Sequence, residues 1–297
     1  MRGMTWQEPI PDSFIQEIKD AIHKYGVLVF RGANLDNDTQ IRFSRQFGEL
    51  DDVKPFIKAG RRMRFPEQPE IFDLANLDEN GELMTNPDSM RVAAAKGNFL
   101  WHVDMAYLPR RCSYALLRAV ELPPPGTGGE TEFLDIRRAF EDLPPERQAY
   151  LETLVMNNSF YYQRKLAAPE AYADVNPLTA PMARHRLVVP HEQSGRKCLF
   201  VSTLVHHFDG MTFEESQPLV SELLDWISKP EYKLAVEWHN PGDMIMWDNR
   251  VVVHRATDSG SYAYKYRRDV RRTTVKDDGL SAYGENGHGV CWTVGLH

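Results

Sequence analysis

The chain has 297 residues, 42% of them hydrophobic and 26% charged, with a formal net charge of −7. That composition supports an ordinary globular core, and the negative balance argues against a sequence-independent nucleic-acid binder, which needs a basic face. No apolar run approaches the roughly 20 residues of a membrane helix.

The amino terminus shows no apolar signal-peptide core. Three widely spaced cysteines suggest neither a disulfide framework nor a zinc knuckle. A cytoplasmic protein with reduced thiols is therefore expected, without a nucleic-acid or membrane partner.

In chain order, Phe14, Ile15, Ile18 and Ile22 recur on one stripe, which predicts a helix from Pro11 that stops near Gly26. Residues 27–31 read as a buried strand and 38–47 as a second helix. The stretch 51–97 is irregular, charged and rich in turn residues, with one strand at 71–74. A loop region of that size reads as a lid over a substrate site. The run Arg61-Arg-Met-Arg within it reads as solvated.

From residue 100 strands dominate, at 100–105, 113–122, 130–134, 154–162, 187–189 and 199–202. Helices interrupt at 144–151 and 212–228, the second opened by a Thr212 and Glu215 capping box. Strands resume at 232–238, 244–247, 251–254 and 269–275. There is no repeat and no linker-like change of composition. A dozen short strands predict one mainly β domain over 1–297, a sandwich or barrel decorated by helices.

His102 and Asp104 stand two apart in a segment that reads as extended, so their side chains share a face. A second imidazole, His254, lies far along the chain in another strand-like run. Two imidazoles and one carboxylate on one side of a metal leave the opposite positions open, which suits a non-haem Fe(II) oxygenase. Alone, a His-x-Asp pair recurs by chance, but this one is flanked by Trp101 and Met105. An ionised Asp in an apolar strand needs a partner or a metal.

The glycine-rich turn Gly126-Thr-Gly-Gly-Glu leads into a strand carrying Thr131; neither a helix start nor a Lys follows, so a phosphate-binding loop is not indicated. On the last strand Arg268 and Arg272 face one way, Arg267 and Arg271 the other. The planar fork of Arg binds a carboxylate bidentately, and the Thr131 hydroxyl can add a hydrogen bond to the same anion. His185, His191, His206, His207 and His239 read as hydrogen-bonded or exposed residues rather than ligands, and Trp247 as core.

These residues resemble those of the taurine/2,4-dichlorophenoxyacetate (TauD/TfdA) family of Fe(II)- and 2-oxoglutarate-dependent dioxygenases, nearest the dichlorophenoxyacetate branch. The resemblance runs through Val27-Leu-Val-Phe-Arg-Gly, Gln40-Ile-Arg-Phe-Ser-Arg-Gln-Phe-Gly, Gly97-Asn-Phe-Leu-Trp-His-Val-Asp and Gly128-Gly-Glu-Thr-Glu-Phe-Leu-Asp. It continues through Ser194-Gly-Arg-Lys and Met246-Trp-Asp-Asn-Arg-Val-Val-Val-His-Arg to Arg267-Arg-Asp-Val-Arg-Arg-Thr-Thr, nearly the whole chain.

The resemblance implies a double-stranded β-helix (jelly roll) with His102, Asp104 and His254 as catalytic iron ligands. It implies Thr131 and Arg268 at the distal carboxylate of 2-oxoglutarate, and Asn98, Arg272 and Lys58 as substrate contacts. The implied reaction uses Fe(II), 2-oxoglutarate and O2 to oxidise a small anion, such as a carboxylic, amino or sulfonic acid. Its outcome is hydroxylation, extending to C–O, C–N or C–S cleavage, with release of succinate and CO2. Homo-oligomerisation is left open.

Two departures from the branch stand out. Ser259-Gly-Ser-Tyr-Ala-Tyr-Lys lengthens the segment before Arg268, and Leu204 replaces a His proposed to touch substrate in the herbicide-cleaving enzyme. The rival readings are a metal-binding jelly roll without turnover and a zinc hydrolase using Glu130 or Glu132 as base.

Overall fold

The computed structural model describes residues 6, 10–257 and 262–295. Its first half runs α1 (Asp12–Tyr25), β1 (Val27–Phe30), α2 (Asn37–Arg45), α3 (Lys54–Lys58), β2 (Phe72–Asp73), α4 (Met90–Ala95), β3 (Cys112–Glu121), β4 (Thr131–Asp135), α5 (Ile136–Glu141) and α6 (Pro145–Leu151). There follow β5 (Val155–Asn158), α7 (Phe160–Ala167), β6 (Ala183–Arg186), β7 (Val188–His191), β8 (Arg196–Leu199), β9 (Val205–Phe208) and α8 (Phe213–Ile227). The chain closes with β10 (Lys233–Val236), β11 (Met244–Asp248), β12 (Val252–Ala256) and β13 (Asp269–Lys276).

Five strands pair in the order β1-β11-β3-β13-β2, three as β10-β4-β12, three as β6-β5-β9, and β7 pairs with β8. These pairings are antiparallel throughout. Side-chain alternation divides the five-stranded sheet between two cores. Ala115, Leu117 and Ala119 of β3, with Ile245 and Trp247 of β11, join Phe133, Val253 and Phe208 of the smaller sheets. Tyr114, Leu116, Met244 and Met246 point the other way, onto Ile15, Ile18 and Ile22 of α1 and Ile41 and Phe43 of α2. Each Leu, Ile, Val, Phe or Met among them, fully buried, contributes about 1.5–3 kcal/mol.

Local signals account for the helix ends. α1 stops at Gly26, whose left-handed φ of 75° lets its N–H return to the Ile22 carbonyl at 2.8 Å. The predicted capping box opens α8, with Thr212 and Glu215 each bonding the other's backbone N–H.

Four local expectations are corrected. Residues 100–105 form no strand: His102 makes an isolated bridge to His254 and the chain then turns, with Met105 at φ 58°. The segment 154–162 divides, because Ser159 caps a new helix with its hydroxyl on the Tyr162 N–H. The stretch 51–97 carries α3, α4 and β2, the last paired to β13. Arg64 is not solvated; it bonds Asp73 at 2.6 Å and Asp269 at 2.9 Å, fastening that stretch to the last strand. No described helix is long and apolar enough to cross a membrane.

Candidate active site

His254 sits in β12, opposite Phe133 of β4. Its backbone exchanges two hydrogen bonds of 2.9 Å with His102, so the imidazoles stand side by side with ring centroids 4.3 Å apart. Asp104 reaches the same point from the turn beyond His102. Its Oδ1 lies 4.0 Å from His102 Nε2 and its Oδ2 3.6 Å from His254 Nε2. One ligand atom from each residue falls within 4.8 Å of the others, and all three residues are buried.

The His102 Nδ1–H donates to the Leu100 carbonyl at 2.7 Å, which leaves the Nε2 lone pair aimed at the cluster. Trp247 backs the His254 ring at 4.7 Å between centroids. Burial lowers the pKa of both imidazoles. At Asp104 burial pushes upward, but the Arg272 guanidinium and the imidazoles outweigh it and hold the carboxyl below its usual range. The protonation states are those a metal requires. Arg272 ion-pairs with Asp104 Oδ1, whereas Oδ2 is buried without a hydrogen-bond partner among the described residues. An orphaned carboxylate oxygen in a site of two neutral imidazoles fits a bound cation.

A cavity of about 500 Å³ opens onto this cluster. His102, His254, Thr131, Arg268, Arg272 and Asn98 all line it. Thr131 opens β4 opposite Ala256 of β12. Arg268 just precedes β13; its Nη2 donates to the Gly129 carbonyl at 3.1 Å, while its Nε is buried without an acceptor. Among the described residues it has no carboxylate partner, and burial lowers its pKa. A Cβ on Gly129 would lie 3.2 Å from that Nε, and its φ of +95° also favours glycine. Arg267, by contrast, is exposed and pairs with Glu121 at 2.9 Å. Two adjacent positions thus separate a cavity cation from a surface one.

Other expectations fare differently. Lys58 is exposed at the end of α3 and is not among the cavity-lining residues, so it does not join the cluster. Lys96, two residues before Asn98, does line the cavity. Sequence reasoning passed over it, although its adjacency to Gly97 and Asn98 was a usable signal. Trp247 is core, 1% exposed, yet it also closes the cavity floor. Leu204 is buried in the core away from the lining. Residues 258–261 of the lengthened segment lie outside the described residues, but Tyr262 and Tyr264 beyond them line the cavity.

Neither carboxylate proposed as a hydrolytic base is free. Glu130 accepts from the Thr257 hydroxyl at 2.7 Å, Glu132 pairs with Arg255 and Lys233, and neither lines the cavity. His185 and His191 are hydrogen-bonded, to the Leu108 carbonyl at 3.0 Å and the Ser194 hydroxyl at 2.7 Å.

The family model described as "Taurine catabolism dioxygenase TauD, TfdA family" matches residues 2–274. The chain is 34% identical over 274 residues to an alpha-ketoglutarate-dependent 2,4-dichlorophenoxyacetate dioxygenase of Cupriavidus pinatubonensis, covering 92% of both proteins. An (S)-phenoxypropionate/alpha-ketoglutarate-dioxygenase of Sphingobium herbicidovorans is 31% identical over 250 residues, 81% of this chain and 79% of that one. The crystal structure of AAD-2 in complex with Mn(II) and N-oxalylglycine superposes with a TM-score of 0.82 at 29% identity, covering 95% of this chain and 94% of that one. The facing antiparallel sheets are those of a jelly roll.

Proposed function

From the premise that this chain belongs to the TauD/TfdA family of 2-oxoglutarate-dependent dioxygenases, we propose that His102, Asp104 and His254 hold Fe(II). The chemistry supplied there, when the metal is bound, is oxidation of a substrate C–H coupled to conversion of 2-oxoglutarate and O2 into succinate and CO2. The observation that carries this reading is the convergence of three buried ligand atoms with the unpaired oxygen of Asp104 among them.

The chain's own residues bind, orient and exclude. The Leu100 carbonyl fixes the His102 tautomer, and Arg272 holds one oxygen of Asp104 so that the other faces the metal position. Arg268, a buried cation with no carboxylate partner among the described residues, takes the distal carboxylate of 2-oxoglutarate, aided by the Thr131 hydroxyl. Asn98 and Arg272 receive the substrate's anionic group, with Lys96 adding positive charge to the wall. Leu74, Val92, Phe99 and Leu117 surround an apolar body.

Relatives named for phenoxyacetate and phenoxypropionate point to the same pairing of acid and ring. Leu204 stands outside the cavity lining, so its replacement of a His does not decide for or against aryloxyacetate cleavage. A hydroxyl placed beside an ether, amine or sulfur atom collapses with C–O, C–N or C–S cleavage. We take the whole chain as one dioxygenase domain with 51–97 as its lid, in the cytoplasm, where its three free cysteines fit a reducing compartment.

The test is anaerobic titration of Fe(II)-loaded protein with 2-oxoglutarate, watched for a weak visible charge-transfer band. Aerobic incubation with carboxylates, phenoxy acids, amino acids and sulfonates follows, with succinate as readout. A band and substrate-stimulated succinate are expected. Activity supported by zinc, or no succinate with any co-substrate and acid, overturns the reading.

A further inference from the structure

Asp104 supplies the only carboxylate of the cluster, yet no strand holds it. The bridge to β12 ends at His102, and Met105, buried and not a glycine, takes a left-handed φ of 58°. Such a conformation persists only where the surroundings over-determine it.

Two side chains do so at the peptide units of Asp104. Its N–H donates to Asn249 Oδ1 at 3.2 Å, and its carbonyl accepts from the Cys112 thiol at 3.0 Å. Asn249 Oδ1 accepts a second bond, at 3.1 Å, from the indole N–H of Trp247, the ring that backs His254. Both partners can only donate, so the amide oxygen must face them. The amide nitrogen is then buried without an acceptor, and Asn249 is fully buried in the turn between β11 and β12. A buried orphan donor is unfavourable. Leu, of nearly the same shape, would leave no such donor, and Asp would accept both bonds without one.

We infer that Asn249 is a positioning residue for the metal centre. Its oxygen joins the turn bearing Asp104 to the ring behind His254, so the carboxylate and the second imidazole keep one separation. Its neutrality keeps a further negative charge away from Asp104 and Asp248. The inference rests on the reading that the cluster holds a divalent metal.

The experiment titrates Mn(II) alone into metal-free protein, following free ion by electron paramagnetic resonance, alongside the thermal midpoint without metal. Asn249→Leu and Asn249→Ala are expected to weaken Mn(II) binding by about 10–100-fold, the range for removed outer partners of metal ligands. Asn249→Asp, which keeps the acceptor, is expected to stay within about threefold of the unmodified chain or to bind more tightly, although its thermal midpoint falls too.

Equal loss of affinity in Leu and Asp variants would show a purely structural role and overturn the inference. So would unchanged affinity in the Leu variant, or in the Ala variant should Leu not fold. If neither folds, Asn249→Asp decides: affinity weakened beyond that threefold range overturns the inference, and retained affinity upholds it. An unmodified chain that binds no Mn(II) overturns the metal reading together with this one.

Discussion

One wall of the cavity is sheet and the other is loop, and they hold different residues. Thr131, His254 and Arg272 stand on strands whose register with their neighbours is set by paired backbone bonds. Val92, Lys96 and Asn98 stand on short helices, and Leu74 and Met84 on irregular backbone. Moving one residue of the sheet wall means sliding a strand, which turns every buried side chain outward. The loop wall can be rewritten residue by residue. On the proposed reading the sheet wall carries most of the groups that serve the metal and 2-oxoglutarate, and the loop wall most of the residues that meet only the substrate.

The contrast can be broken most severely where the walls meet the metal position. His254→Ala or Asp104→Ala should abolish succinate release, a loss beyond the roughly 100-fold expected for outer partners of a ligand. Retained turnover in either variant would remove the basis of the comparison. Arg268→Ala should raise the KM for 2-oxoglutarate by roughly 10- to 100-fold, the equivalent of about 1.5–3 kcal/mol for a charged hydrogen bond. Arg267→Ala should leave that KM unchanged, since its partner is Glu121 at the surface.

Acid tests the frame behind the sheet wall. His185 of β6 is buried, its Nε2–H on the Leu108 carbonyl beyond Asp104, and burial lowers its pKa from 6.5 to about 4. The unfolded chain therefore takes up the proton first. Stability is complete above pH 6.5 and falls as the pH drops toward 4, by up to about 3 kcal/mol for this group. Denaturant melts across that window should show the slope, and His185→Gln should make it shallower, the remainder belonging to other buried imidazoles such as His23, also lowered to about 4.

Loop-wall changes should be the mildest. Lys96→Gln should raise the KM for the acid that stimulates succinate release a few-fold, in line with at most about 1 kcal/mol for an exposed charge, without altering the 2-oxoglutarate requirement. Lys58→Gln should change neither constant. Steady-state kinetics of the pair separates the lysine that lines the cavity from the one outside it.

The cluster was legible in sequence because its chemistry restricts residue type: few side chains can serve where His102, Asp104 and His254 stand. Strands buried on both faces, such as β3 and β11, were legible as apolar runs of strand length. The 100–105 segment was not. Its apolar residues read as a strand, whereas His102 alone pairs and long-range contacts from Asn249 and Cys112 shape the rest. The Ser159 cap is a local signal, its hydroxyl on the Tyr162 N–H, hidden within an apolar run; β6, paired to β5, and the engagement of Arg64 with Asp269 depend on partners remote along the chain. The choice between Lys58 and Lys96 is of that kind too.

The reciprocal backbone bonds between His102 and His254 bear on biosynthesis. During translation the first imidazole and the carboxylate emerge long before β12, and until that strand docks they have no companion with which to share an ion. On the proposed reading, metal capture therefore waits until β12 has been made and docked, and a chain folded only as far as Asp104 holds no complete ligand set.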